Sequence, residues 1–263
     1  MSLIFISFIC AILYLVSSAV QATALTGSRT DHNKLVMGTG VAAVVLHTLA
    51  VYIVLHPGDG IQLGFFPVSS LIAWLIAGLV LISSLTKPLK NLFVALFPLA
   101  AITVVLAALA PQTAAPKPYS PGIISHILSS ILAYSVFTIA AVQAILISLQ
   151  DRQLRQHHTK GIVAALPPLM MMEKLMFEML WTGEALLTVS LITGMLFLDD
   201  IFAQHLVHKT LLSIVAWIVY AIMLWGRQQR GWRGIAAIRW TLGGFSALML
   251  AYFGSKFALE LMI

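Results

Sequence analysis

Eight apolar runs of bilayer-spanning length follow one another along this chain, and they decide what it can fold into. They lie at approximately Leu3–Thr23, Leu35–Leu55, Phe65–Leu85, Leu92–Ala110, Gly122–Leu149, Leu175–Leu198, Leu206–Trp225 and Trp240–Ile263. Helix breakers separate them: His56-Pro57-Gly58-Asp59-Gly60, Lys87-Pro88, the Pro-rich stretch Pro111 to Pro121, and Pro167-Pro168. A transmembrane helix takes about 20 residues, so eight use roughly 160 and leave about 100 for short loops. That remainder, split into loops, holds no separate soluble domain of the usual size, about 50 residues or more. The expected fold is therefore all-α, a polytopic membrane helix bundle forming one integral domain over residues 1–263.

Composition closes the other routes. Only 9% of residues are charged and 60% are hydrophobic, whereas an average soluble domain carries roughly 25% charged residues. A cytosolic or secreted globular enzyme, a disordered chain and a nucleic-acid-binding protein are all excluded. The single cysteine, Cys10, permits no internal disulfide and no CxxC chemistry. The first run, with no Lys or Arg before Arg29, lacks the basic start of a signal peptide and is read as a span.

The net charge of +6 and pI near 9.6 record topology rather than a nucleic-acid partner. Loops after spans one, three, five and seven hold Arg29, Lys34; Lys87, Lys90; Arg152, Arg155, Lys160, Lys174; and Arg227, Arg230, Arg233, Arg239. Those are twelve of the fifteen basic residues, and only Lys117, Lys209 and Lys256 fall on the opposite side. The basic loops are expected in the cytoplasm, which puts both termini outside. The segment from Gln150 to Lys174 is the longest polar loop, and its Met170-to-Met179 end reads as an amphipathic entry into span six.

This topology sorts the eight histidines. His32, His157 and His158 fall in cytoplasmic loops, whereas His56, His126, His205 and His208 collect at the outer ends of three spans. Neutral imidazole is a good axial ligand for haem iron, and a bis-His haem needs two such residues on opposite sides of the ring. Outer histidines also commonly just mark helix ends, and both readings stand at this point. His47 lies about 18 Å into span two at about 1.5 Å per residue, near the midplane, either as a functional group or hydrogen-bonded to a neighbouring helix. Glu184, roughly 14 Å into span six by the same rise, is the other ionisable group at mid-depth. Glu178 snorkels, Lys256 and Glu260 form an i,i+4 pair, and Asp199-Asp200 close span six in solvent. No Walker A sequence, HExxH, nucleophile elbow or dinucleotide fingerprint is present, so no catalytic residue is assigned and the chain is not expected to be an enzyme.

The last quarter carries a family likeness. His208-Lys209-Thr210, Ala216-Trp217-Ile218-Val219-Tyr220-Ala221, Gly231-Trp232-Arg233-Gly234, Gly244-Phe245 and Ala251-Tyr252-Phe253-Gly254 resemble the C-terminal part of the cytochrome c assembly family (CcmC/CcsA type). His126 followed by Ala133-Tyr134, and Leu166-Pro167-Pro168-Leu169 leading into Trp181-Thr182-Gly183, extend the match. His47, Gly60-Ile61-Gln62-Leu63, Ser69-Ser70-Leu71 and Lys87-Pro88-Leu89 look like the YpjD-type inner-membrane branch. The resemblance implies a bacterial inner-membrane protein that handles haem of b type near the outer face, as a carrier or chaperone. Its partners would be haem, the lipid bilayer and other membrane or cytochrome-maturation proteins. Carried over by position, His126 matches the family's first flanking histidine and His47 a recurring histidine of this branch; His208, or else His205, substitutes for the second ligand. The chain departs from the family where a Trp-rich outer motif should stand: Phe197-Leu198-Asp199-Asp200-Ile201-Phe202-Ala203-Gln204-His205 contains no tryptophan, only Phe197 and Phe202. A small-solute or ion transporter, or an accessory membrane subunit, using the same scaffold without haem is the alternative.

Overall fold

The computed structural model describes residues 2–25, 32–58, 60–110, 115–157, 165–197 and 207–254. Eight helices are long and apolar enough to cross a membrane, and among the described residues there is no strand. They are α1 (Leu3–Leu25), α2 (Asn33–Leu55), α3 (Phe65–Ser83), α4 (Phe93–Leu109), α5 (Pro121–Arg155), α6 (Leu169–Phe197), α7 (Val207–Arg230) and α8 (Ile235–Met249). A one-turn 3-10 segment, Lys90–Leu92, leads into α4, and a π-helical turn, Leu250–Gly254, extends α8. The spans expected from hydropathy coincide with these helices in number and order. The ends differ. Helix α5 runs on to Arg155, and α6 begins at Leu169, ahead of the apolar run at Leu175. Hydropathy marks where the lipid stops, whereas backbone hydrogen bonding carries a helix on into water.

The chain forms two compact units: Met1–Pro118 with Gln153–Pro167, and Tyr119–Arg152 with Pro168–Ile263. Unit 1 is built on α1–α4. Helix α1 turns Ser7, Cys10, Tyr14, Ser17 and Ser18 inward at helical spacing. Without water, these groups need carbonyls, and α2 supplies them: Ser17 Oγ donates to the Val36 carbonyl at 2.8 Å and Cys10 Sγ to Ala43 at 3.3 Å. Pro98 lies inside α4 and lacks the N–H that would reach the Val94 carbonyl. The Ser18 hydroxyl donates to that carbonyl at 3.2 Å. Phe93 and Phe97 stack at 4.3 Å beside Tyr14, which closes the core. At the far end, Ile61 and Lys117 exchange backbone hydrogen bonds at 3.1 and 3.2 Å. Gly60, with φ of 121°, passes within 3.0 Å of the Lys117 backbone, where a side chain has no room.

Unit 2 is built on α5–α8. Helices α5 and α6 run antiparallel, as successive contacts record: Gly122 under the Phe197 ring, Ser130 with Ser190, Phe137 against Gly183, and Gln143 Nε2 donating to the Met172 carbonyl at 3.3 Å. A Cβ at Gly183 would sit 2.8 Å from the Phe137 ring, so this crossing requires glycine. Helices α6 and α7 are also antiparallel. Trp217 Nε1 donates to Thr188 Oγ1 at 2.8 Å, and the Arg227 guanidinium lies 4.5 Å from the Phe177 ring centroid. Helices α5 and α7 therefore run parallel, and they meet where Phe137 stacks on Tyr220 at 4.0 Å and 4°.

The basic turn between α7 and α8 is held by one buried acid. Glu173 Oε1 accepts from the Gly234 N–H at 2.7 Å, at the start of α8, while Arg233 Nε lies 3.9 Å from Oε2 with 59% of its side chain exposed. Removing Glu173 leaves an orphaned amide in a closed turn, and Glu173→Ala should cost about 1–3 kcal/mol. Arg233→Ala should cost under about 0.5 kcal/mol, because exposed ion pairs contribute little. Thermal unfolding of both variants in detergent checks the contrast.

Candidate functional site

A histidine becomes a metal ligand when one ring nitrogen is held and the other keeps its lone pair. His126, two turns into α5 and partly buried, meets this requirement. Its Nδ1 lies 2.8 Å from the Ser190 carbonyl of α6. A carbonyl only accepts, so Nδ1 donates and Nε2 is left without a protein partner among the described residues. The clamp is reinforced around it. Ser130 Oγ bonds the His126 carbonyl at 2.6 Å and Ser190 Oγ at 2.6 Å, and small side chains let α5 and α6 approach closely enough for all three contacts. Nothing else among the described residues occupies His126 Nε2.

His208 sits exposed in the first turn of α7. It precedes Tyr220 by twelve residues, as His126 precedes Phe137 by eleven, and those two rings stack between parallel helices. The two histidines therefore lie at one end of unit 2, at nearly the same depth. Phe197, half-exposed, covers Gly122, one turn before His126 on α5. His205, Phe202 and Asp199-Asp200 lie outside the described residues, as do Lys256 and Glu260.

His47 belongs to unit 1 and is fully buried. Tyr14 Oη lies 3.1 Å from Nδ1 and Ser70 Oγ 2.9 Å from Nε2, so both nitrogens are engaged. Hydrogen bonding to two neighbouring helices accounts for this midplane histidine, and neither nitrogen offers a lone pair as arranged. His56 is exposed, stacks on Tyr52 at 4.8 Å and donates from Nδ1 to the Tyr52 carbonyl of its own helix at 3.1 Å. Trp74 Nε1 donates to Thr48 Oγ1 at 2.9 Å, a packing role like that of Trp217. Among the described residues no three or more His, Cys, Asp or Glu side chains cluster as a multi-ligand metal centre.

Deeper in unit 2 lie two polar groups with no counterpart. Both carboxylate oxygens of Glu184 on α6 and the hydroxyl of Tyr134 on α5 are buried without a hydrogen-bond partner among the described residues. The α5–α6 register, with Phe137 against Gly183 and Ser130 against Ser190, sets these two side chains at one level. Phe245, Tyr252 and Phe253 pack round Tyr134 at 5.5 to 6.3 Å. Glu184 stood out in the sequence as a lone acid at mid-depth. Tyr134 did not, since a tyrosine in an apolar helix normally finds an acceptor. Ser130 and Ser190 were also missed, although Ser129-Ser130 follow His126 at i+3 and i+4, a spacing that shares its helix face.

Comparison with known proteins bears on this arrangement. Residues 39–263 match the model of the family described as cytochrome C assembly protein. The chain is 32% identical over 251 residues to inner membrane protein YpjD of Escherichia coli K12, covering 94% of this chain and 95% of that one. It is 33% identical over 187 residues to an uncharacterized 28.8 kDa protein of Azospirillum brasilense, covering 69% of each. No solved structure matches.

A buried carboxyl without a partner is a standing cost to the fold. Glu184→Leu should therefore raise the stability of the purified protein, by about 1–4 kcal/mol. Thermal unfolding in detergent measures this, and a fall in the midpoint would mean that the carboxyl already has a partner.

Proposed function

This chain belongs to the cytochrome c assembly protein family, and on that premise we propose that it handles haem in the bacterial inner membrane. It acts as a carrier or chaperone, and no step of bond chemistry is assigned to it. The observation that carries this reading is the His126 clamp: Nδ1–H donates to the Ser190 carbonyl, which orients the ring and leaves Nε2 pointing away from that contact, available for iron. His208, from the same end of unit 2, would be the second residue to hold the group. Bound haem of b type would supply an iron that accepts two imidazoles and a flat apolar ring that Phe197 can cover.

The site residues have separate duties. Ser190 and Ser130 hold the His126 tautomer and keep α5 against α6. His208 sits exposed, where it is free to join or leave an incoming ligand, as a carrier requires. His47, locked to Tyr14 and Ser70, is a packing and relay residue of unit 1. The basic residues Arg152, Lys174, Arg227 and Arg230 all belong to the opposite end of the unit 2 helices from His126 and His208. By the charge rule that end faces the cytoplasm, which puts the haem site at the outer leaflet.

The test is optical. Full-length protein purified from haem-replete cells, or supplied with haemin, should give a Soret band. His126→Ala should abolish or shift it, and His208→Ala should alter the ligation spectrum. His157→Ala, at an exposed residue in a turn of unit 1, should change nothing. No Soret band in the wild type, with none restored by haemin, overturns the reading.

A further inference from the structure

Unit 1 carries a second built site, independent of the haem reading. Where α1 ends and α3 turns into α4, the chain leaves a cavity of about 490 Å³ lined by Gln21, Ser84, Lys87, Lys90, Asn91 and Pro167 among others. No acidic side chain is among the described residues lining it. Lys90 Nζ donates to Asn33 Oδ1, a neutral acceptor that positions the ammonium without neutralising it.

Asn91 forms part of the cavity wall and is only 6% exposed, yet neither its Oδ1 nor its Nδ2 has a hydrogen-bond partner among the described residues. A primary amide held this way is unusual in a folded interior, and it is satisfied when a polar group enters beside it. Lys90 and Asn91 also open the 20-residue apolar helical segment Lys90–Leu109. The Leu92 and Phe93 amides of its first turn donate to the Leu89 and Lys90 carbonyls, and the positive end of the segment's dipole lies there. Leu25, Leu85, Pro88 and Ala165 add apolar surface to the same lining.

We propose that this cavity binds a phosphate group. Lys90 and Lys87 supply charge, and Asn91 Nδ2 supplies a directed donor from the cavity wall. Two sources share that chemistry, the headgroup of an anionic phospholipid and free phosphate, and the apolar lining residues suit the former.

The experiment uses the full chain in a maltoside detergent, which carries no phosphate. One arm titrates inorganic phosphate against sodium chloride at equal ionic strength; the other adds phosphatidylglycerol to the micelles. Thermal unfolding is followed in both. A saturable rise of the midpoint is expected in at least one arm. A response to phosphatidylglycerol alone assigns the headgroup, and a response to inorganic phosphate assigns the free ion. In the responding arm, Asn91→Leu, Lys90→Gln and Lys87→Gln should each weaken half-saturation by about tenfold or more, the usual effect of losing a charge-assisted contact. Lys34→Gln, which removes the same charge outside the cavity, should leave it unchanged. The proposal is overturned if neither arm gives a saturable shift. It is equally overturned if the surface variants Lys87→Gln and Lys90→Gln respond like the wild type, or if Lys34→Gln weakens binding as much as they do.

Discussion

Inside a bilayer no water is at hand to satisfy a polar group, so each one must find its partner on a neighbouring helix. Most of what is specific in this protein follows from that rule. In unit 1 it fixes the pairing of α1 with α2 and α4: Ser17 reaches the Val36 carbonyl, Ser18 takes the carbonyl freed by Pro98, and Tyr14, His47 and Ser70 join three helices in one chain of hydrogen bonds. In unit 2 it sets the α5–α6 register through His126, Ser130 and Ser190. Apolar packing brings the helices together without saying how they should align. The polar contacts do the aligning.

The same rule makes the exceptions informative. Glu184, Tyr134 and Asn91 are buried groups whose polar atoms have no partner among the described residues. Asn91 belongs to a cavity lined by lysines, and its unmet Nδ2 donor suits an anion. Glu184 and Tyr134 lie at one level of α6 and α5, deeper in unit 2 than His126, and Tyr134 is packed by Phe245 and Phe253. A fold that leaves these groups unsatisfied carries a cost that a purely structural bundle would have no reason to keep.

Much of this was legible in the sequence. Eight apolar runs gave eight helices, because a bilayer of fixed thickness imposes both length and composition. Pro and Gly pairs marked the breaks correctly. The ends of α5 and α6 were less legible, since Asp151 and Glu173 continue helices that hydropathy had already ended. Among the site residues, His126 was found from its depth and its family position. Its clamp was not, because Ser190 lies 64 residues away and no local pattern couples them. At His47 the hydrogen-bonding reading has its partners in Tyr14 and Ser70, which only the packing of three helices brings together. The alternative of a polar transport path drew on the same histidine, and with both its nitrogens engaged His47 offers that path no free group.

Haem ligation through a clamped imidazole is the claim on which the functional account stands. Electron paramagnetic resonance of the ferric, haem-loaded full chain tests it most directly, since two axial imidazoles give a low-spin signal and a single one gives a high-spin signal. The account predicts a low-spin wild type that becomes high-spin in His126→Ala. A low-spin signal unchanged by that substitution would contradict it.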